Sequence, residues 1–206
     1  MVMRFDVYLG ETTMLKLKSV CCIIAMMCFS ISPTMAHVTD IVHQHGFAAG
    51  AMHPLAGLDH ILGMMAIGLW AGYVGGNARW AWPLAFVGFA GFGALAGYAG
   101  VEIQALEILV AASVVTLGFL LFAGMQISAL SGALISGAAG FVHGYAHGVE
   151  MPSDVGVALF FAGFLLATAL LHGVGLLVSP QLNGYLRQLA GGFVAACGSY
   201  LLLLAF

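Results

Sequence analysis

Six long apolar runs follow one another after residue 40, and they constrain the fold more than any other feature of the chain. Such a run, coiled into a helix at about 1.5 Å per residue, crosses the ~30 Å hydrocarbon core of a bilayer. Only 6% of the 206 residues are charged, against about a quarter in a typical soluble domain. We therefore predict an all-α, polytopic membrane helix bundle with six transmembrane helices. The runs lie roughly at residues 58–76, 80–99, 104–124, 129–148, 155–178 and 186–206.

The N-terminal segment, residues 1–36, has the layout of a cleavable secretory signal peptide. Two lysines precede an apolar stretch from Val20 to Ile31, and Thr34–Ala36 approximates a small-x-small cleavage site. Met14 is an alternative start, and an uncleaved first membrane helix is the alternative interpretation, although the run is short for a span. Cleavage would leave a transmembrane domain of residues 37–206 with a periplasmic N-terminus.

The distribution of charge fits that orientation. With the N-terminus outside, Arg79 and Arg187 both fall in cytoplasmic loops, as the positive-inside rule expects. Glu102, Glu150 and Asp154 then fall outside. We therefore expect a multi-pass protein of the bacterial inner membrane. The chain has no basic patch to meet phosphates and no Gly-rich phosphate loop followed by Lys, so we predict neither a nucleic-acid partner nor an ATPase.

A first polar cluster, H-P-L-A-G-L-D-H, precedes the first span. Pro54 and Gly57 are predicted to break the helix there. Asp59 and His60 then lie at the outer start of the span, seven residues after His53. Asp59 has an alternative role as an acid that complements the positive end of a helix dipole.

A second cluster, F-V-H-G-Y-A-H-G-V-E, closes the fourth span at its outer end. His143, His147 and Glu150 are spaced i, i+4, i+7 and share one helix face. Both clusters are therefore predicted on the same side of the membrane. Small residues on this span allow close helix packing. They form the stripe Gly140, Gly144 and Gly148.

The residue types in these clusters favour a transition metal. Ionisable residues inside a membrane are costly and are functional by default. Imidazole nitrogen with carboxylate oxygen suits borderline ions such as nickel, cobalt, zinc and copper. Glu107, inside the third span, is open as a further ligand, a proton carrier or a histidine partner. The predicted metal ligands are His53, Asp59, His60, Glu107, His143, His147 and Glu150.

The remaining histidines leave two alternatives each. His172, on the fifth span, is either an exit-side relay or the partner in a helix–helix hydrogen bond. His37, His43 and His45 precede the bundle outside and either capture ions or are ordinary surface residues.

Both clusters carry a resemblance to the HupE/UreJ family of nickel permeases. The pattern H-P-x-x-G-x-D-H is matched by His53, Pro54, Gly57, Asp59 and His60. The pattern H-G-x-A-H-G-x-E is matched by His143, Gly144, Ala146, His147, Gly148 and Glu150. The resemblance covers the mature chain end to end, and Glu107 and Phe86 lie where the family also has an intramembrane acid and an aromatic residue. It implies that His53, Asp59, His60, His147 and Glu150 are functional in a secondary permease that serves nickel enzymes such as hydrogenase or urease.

The resulting hypothesis is a secondary transporter that moves Ni²⁺ from the periplasm to the cytoplasm. It predicts no enzyme activity, no catalytic residue and no resident cofactor. The expected partners are a transition-metal ion and the lipid bilayer, and a homo-oligomer remains open. The alternatives are a permease for cobalt or another transition metal, a haem or di-iron membrane redox protein, and a metal sensor or chaperone.

Overall fold

The computed structural model describes residues 46–152 and 156–206, which belong to one unit spanning Val38–Phe206. The predicted signal peptide of residues 1–36 lies outside the described residues. So do His37, His43, His45 and Asp154.

Within the described ranges the chain forms seven α-helices, one 3₁₀ turn and no strand. The prediction of an all-α fold is therefore confirmed for this part of the chain. The helices are α1 (Gly46–Ala56), α2 (Leu58–Val74), α3 (Ala78–Tyr98), α4 (Leu106–Ala123), α5 (Ala129–Val149), α6 (Val157–Val178) and α7 (Gly184–Leu204), with the 3₁₀ turn Ser179–Gln181 after α6.

Helices α1 and α2 form a pair bent by 83°. The bend lies at Gly57, whose backbone is extended with φ −101° and ψ 124°. Pro54, which the sequence predicted as a second break, instead lies inside α1. The chain therefore turns at one residue only, and the turn places Asp59 and His60 in the first turn of α2.

Four helical segments are long and apolar enough to cross a membrane: α3, α4, α6 with its 3₁₀ turn, and α7. The bent pair of α1 and α2 makes a fifth if it counts as one span. The structure has a helix in each of the six predicted intervals, but α2 alone has only 17 residues. Helix α5, with 21 residues, is long enough to cross a membrane. Its glycines, serines and histidines lower its hydropathy, and it is not among these four candidates. The described part of the chain thus shows four to five candidate membrane spans.

Helices α2 to α7 alternate in direction, which gives the bundle two chemically different ends. The histidine end, marked by His60 and His147, is where α2, α4 and α6 begin and where α3, α5 and α7 end. The arginine end is the opposite one, with Arg79 near the start of α3 and Arg187 near the start of α7. Helix α5 packs along α3, α7 along α4, and α6 against both α1 and α2. The two predicted clusters therefore share one end of the bundle.

The glycine stripe of α5 lies directly on the backbone of α3. A Cβ atom on Gly140, Gly144 or Gly148 would overlap backbone atoms of Phe86, Ala90 and Ala94 respectively. Such close approach is how helices associate in lipid, where no hydrophobic effect drives them together. The expected role of the stripe is confirmed.

Two tryptophans fill the bundle toward the arginine end. The rings of Trp70 and Trp82 have centroids 4.2 Å apart, and both side chains are fully buried. Trp70 Nε1 donates to the carbonyl of Met125 at 2.8 Å, and Trp82 Nε1 donates to the carbonyl of Ala129 at 2.9 Å. These bonds tie α2 to the connection between α4 and α5, and α3 to the first residue of α5.

Candidate metal site

Three side chains at the histidine end bring potential ligand atoms together. One atom each from His53, His147 and Glu150 lies within 4.8 Å of the other two. His53 Nε2 is 3.2 Å from Glu150 Oε2. Glu150 follows the last residue of α5, where the helix dipole opposes a negative charge, so the imidazole of His53 offsets an otherwise unfavourable position.

Four imidazoles form a continuous line from this group into the core. The His147 ring centroid is 4.8 Å from that of His53 and 4.1 Å from that of His60. The His60 ring in turn is 4.8 Å from the His143 ring. The His53 side chain is 27% exposed, whereas His147, His60 and His143 are buried, with 1%, 7% and 0% of each residue exposed. The line therefore begins at the surface and ends in the interior.

Asp59 selects one tautomer of the neutral His60 ring. Its Oδ1 atom is 2.6 Å from His60 Nδ1 and accepts the His60 backbone N–H at 2.8 Å. Because a carboxylate only accepts, Nδ1 carries the proton of the neutral ring and its lone pair lies on Nε2. That Nε2 atom is buried and has no hydrogen-bond partner among the described residues. A histidine whose other nitrogen donates to a carboxylate is the usual arrangement of a metal ligand.

Ser113, which the sequence reasoning missed, does the same for His143. Its hydroxyl lies 2.7 Å from the Val110 carbonyl, to which it donates, and 2.9 Å from His143 Nε2. With its proton already engaged, the hydroxyl oxygen accepts from Nε2, so Nδ1 of His143 keeps the lone pair. Nδ1 is also buried without a partner in the described part of the chain. The only sequence signal for Ser113 was a hydroxyl in a largely apolar run, a signal that Thr116 shares.

The carboxylates surround an opening at the histidine end. A cavity of about 640 Å³ is lined by Asp59, His60, Glu107 and Glu150, and its remaining walls are largely apolar residues of α4, α5 and α7. Glu107, in the first turn of α4, is exposed. It does not join His53, His147 and Glu150 in the compact ligand group, but it shares the cavity that leads to His60.

Comparison with known proteins identifies the family. A family model described as HupE / UreJ protein matches residues 24–201. The chain belongs to the HupE/UreJ family. Protein HupE of Rhizobium leguminosarum bv. viciae is 38% identical over 175 residues, which cover 83% of this chain and 92% of that protein. No solved structure matches the chain.

The motif residues of this HupE/UreJ chain fall into three groups in space. His53, the buried His147 and the exposed Glu150 form the compact group of potential ligand atoms. His60 and His143 continue the line inward, while Asp59 serves His60 as a hydrogen-bond partner. Whether each one contacts an ion stays a prediction.

Phe86 separates this line from the last buried histidine. Its fully buried ring has its centroid 5.7 Å from that of His143 and 4.8 Å from that of His172 on α6. His172 thus lies beyond the cluster that the two motifs form, toward the arginine end.

The contacts between imidazoles also bear on the haem alternative. A b-type haem needs a porphyrin and its iron between two axial imidazoles. His60 and His147 have ring centroids 4.1 Å apart and touch each other directly, which leaves no space for the macrocycle between them. At His60 and His147 the geometry therefore favours a small ion over a haem.

Proposed function

We propose that this HupE/UreJ protein is a secondary permease that carries Ni²⁺ from the periplasm into the cytoplasm across the bacterial inner membrane. One observation carries the proposal: imidazoles in mutual contact lead from the exposed Glu150 to the fully buried His143. A store or a sensor needs one closed cage, whereas a path needs successive sites that bind and release.

The donor set supports a borderline divalent ion as the cargo. The three buried histidines of the line, His60, His143 and His147, each offer at least one nitrogen atom without a partner in the described part of the chain. Imidazole nitrogen suits nickel, cobalt, copper and zinc, whereas magnesium and calcium prefer all-oxygen shells. Nickel is preferred because of the family resemblance, and cobalt is the alternative that the same ligands accept.

The orientation follows from the two ends of the bundle. We place the arginine end, with Arg79 and Arg187, in the cytoplasm and the carboxylate-lined cavity in the periplasm. The inside-negative potential then favours inward movement of a divalent cation by about 4.6 kcal/mol per 100 mV. This is a driving force that requires no ATPase. All six long helices, α2 to α7, are taken as spans.

Uptake of radioactive nickel into expressing cells tests the proposal. His60→Ala and His147→Ala each remove a buried ligand and are expected to reduce uptake by at least about tenfold, the scale of a lost metal contact. Glu150→Gln should also reduce uptake, whereas the matched control Glu102→Gln, an exposed acid at the same end outside the cavity, should not. Unchanged uptake in both histidine variants would refute the site and the proposal.

Transport must also be separated from binding alone. Proteoliposomes with an inside-negative potential should accumulate nickel, and collapse of the potential should slow accumulation. Binding without accumulation would favour the sensor or chaperone alternative. Accumulation of cobalt in preference to nickel in a competition assay would reassign the cargo within the same mechanism.

A further inference from the structure

We propose that His172 is a second, deeper binding position for the same transition-metal ion, an inference that rests on the proposed permease function. The side chain is 1% exposed. Its Nδ1 atom lies 2.6 Å from the Thr168 carbonyl and donates to it, so Nε2 carries the lone pair. Nε2 is buried and has no hydrogen-bond partner among the residues that the structure describes.

A role in joining helices does not explain this histidine. Thr168 precedes it by four residues in α6, so the hydrogen bond stays within one helix and ties α6 to no neighbour. A buried nitrogen without a partner costs about 1–3 kcal/mol. His172 carries that cost at Nε2 and gains no interhelical hydrogen bond from it. A metal ion that binds the Nε2 lone pair during transport accounts for both the unpartnered nitrogen and the absence of an interhelical hydrogen bond.

One face of α6 places His172 in line with the outer cluster. This name refers to the group at the histidine end, which consists of His53, Asp59, His60, His143, His147 and Glu150. Phe160 has its ring 5.5 Å from that of His53, and Phe164 has its ring 4.4 Å from that of His147. Thr168 and His172 continue the same spacing of four residues, which is about 6 Å of helix per step. His172 therefore lies about 12 Å deeper along α6 than Phe164.

The surroundings of this position suit brief binding. The Phe86 ring contacts His143 on the outer side and His172 on the inner side, so it separates the two positions. Thr168 Oγ1, four residues before His172 on α6, is a further buried oxygen atom without a partner in the described ranges. All of these donors are neutral, whereas the outer cluster includes carboxylates. An ion held by fewer and neutral donors leaves more readily, as a path requires.

A cysteine scan with Co²⁺ tests the position directly. His172→Cys places a thiol at the proposed site, and thiolate bound to Co²⁺ gives a charge-transfer absorption band that imidazole does not give. The matched control is Leu170→Cys on the same helix, because Leu170 is 61% exposed and faces away from the core. The difference between the two purified variants removes any contribution of the native cysteines. We expect the band in His172→Cys only.

A stoichiometry measurement provides a second readout. His172→Asn should bind fewer equivalents of Ni²⁺ at saturation than the unmodified protein, while the affinity of the outer cluster stays within about threefold. A retained outer affinity also shows that the bundle has folded.

The outcomes separate the two proposals. Absence of the band in His172→Cys, or an unchanged stoichiometry in His172→Asn, overturns the inner position while the outer cluster still binds its ion. If the unmodified protein binds neither Ni²⁺ nor Co²⁺, the permease proposal fails and this inference fails with it.

Discussion

Removal of the Ser113 hydroxyl should weaken metal binding without any change in the ligands themselves. In the structure this hydroxyl accepts the Nε2–H of His143 and thereby directs the lone pair to Nδ1. In Ser113→Ala neither nitrogen of the His143 ring has a partner in the described part of the chain, so nothing fixes which one carries the proton. The unpartnered N–H itself costs the free and the ion-bound protein alike. Only the ion-bound form also requires the lone pair at Nδ1, so the loss of orientation falls on the bound state.

The magnitude follows from the loss of a hydrogen bond that orients a metal-binding histidine. Such losses weaken metal affinity by about 10- to 100-fold. The dissociation constant for Ni²⁺ should therefore rise by about 10- to 100-fold, which is about 1.4–2.7 kcal/mol at 1.36 kcal/mol per tenfold change.

The assay is equilibrium competition for Ni²⁺ between the purified protein in detergent and a chromogenic chelator. Two further variants of α4 give the comparison its specificity. Ser113→Thr keeps a hydroxyl that can bond back along the helix, so its affinity should stay close to that of the unmodified protein. Thr116→Ala removes an exposed hydroxyl that donates to the Ala112 carbonyl, and it should change nothing.

An affinity of Ser113→Ala within about twofold of the unmodified protein would refute the reasoning, because a change that small lies below the effect of losing a hydrogen bond that orients a metal ligand. Equal losses in Ser113→Ala and Thr116→Ala would also refute it, since they would indicate a general effect of shortening side chains on α4.

Three further predictions concern the bundle. Gly144→Ala should lower the free energy of unfolding in detergent by about 1–3 kcal/mol, because its Cβ would overlap the α3 backbone. The control Gly173→Ala has open space around it and should be neutral or stabilising. Equal effects of the two variants would contradict close packing of α3 and α5. Arg187→Met removes a guanidinium that donates to two carbonyls at the end of α4, and it should lower the free energy of unfolding by about 1–2 kcal/mol. The control Arg79→Met, at an exposed arginine, should lower it by less than about 0.5 kcal/mol. A larger effect of Arg79→Met would contradict a stabilising role of these hydrogen bonds. Reporter fusions should read cytoplasmic after α2, α4 and α6 and periplasmic after α3 and α5, and a cytoplasmic reading after α5 would refute six spans.

The convergence of the two clusters could be predicted from residue spacing within the helices and from the number of spans between the clusters. His143 and His147 lie four residues apart, as do Gly144 and Gly148, so each pair occupies one face of a helix. Four spans lie between the start of the first span and the end of the fourth, and this even number of crossings returns the chain to the end at which it began. The structure confirms that placement because α5 runs opposite to α2.

The hydrogen bonds that orient the rings could not be predicted in this way. Ser113 and His143 are 30 residues apart and meet only because α4 and α5 pack together. The same limit applies to the break before α2, where both Pro54 and Gly57 were predicted to interrupt the helix. Helix α1 continues through Pro54 while its Gly50 lies against the α6 backbone at Phe160. Such tertiary contact overrides local preference, and local pattern does not contain it.

Helix α5 shows how a helix of modest average hydropathy can still be expected to cross a membrane. Its polar residues and glycines face the bundle, where His143 and His147 are buried, while Leu130 and Leu134 are 71% and 64% exposed on the outside. An average over the helix combines these two faces, although lipid meets only one of them. The residues that lower the average are the same ones that pack on α3 and form the line of imidazoles. We therefore expect the helix that carries most of a permeation path to be the one that hydropathy identifies least well, and α5 to cross the membrane because its neighbours enclose its polar face.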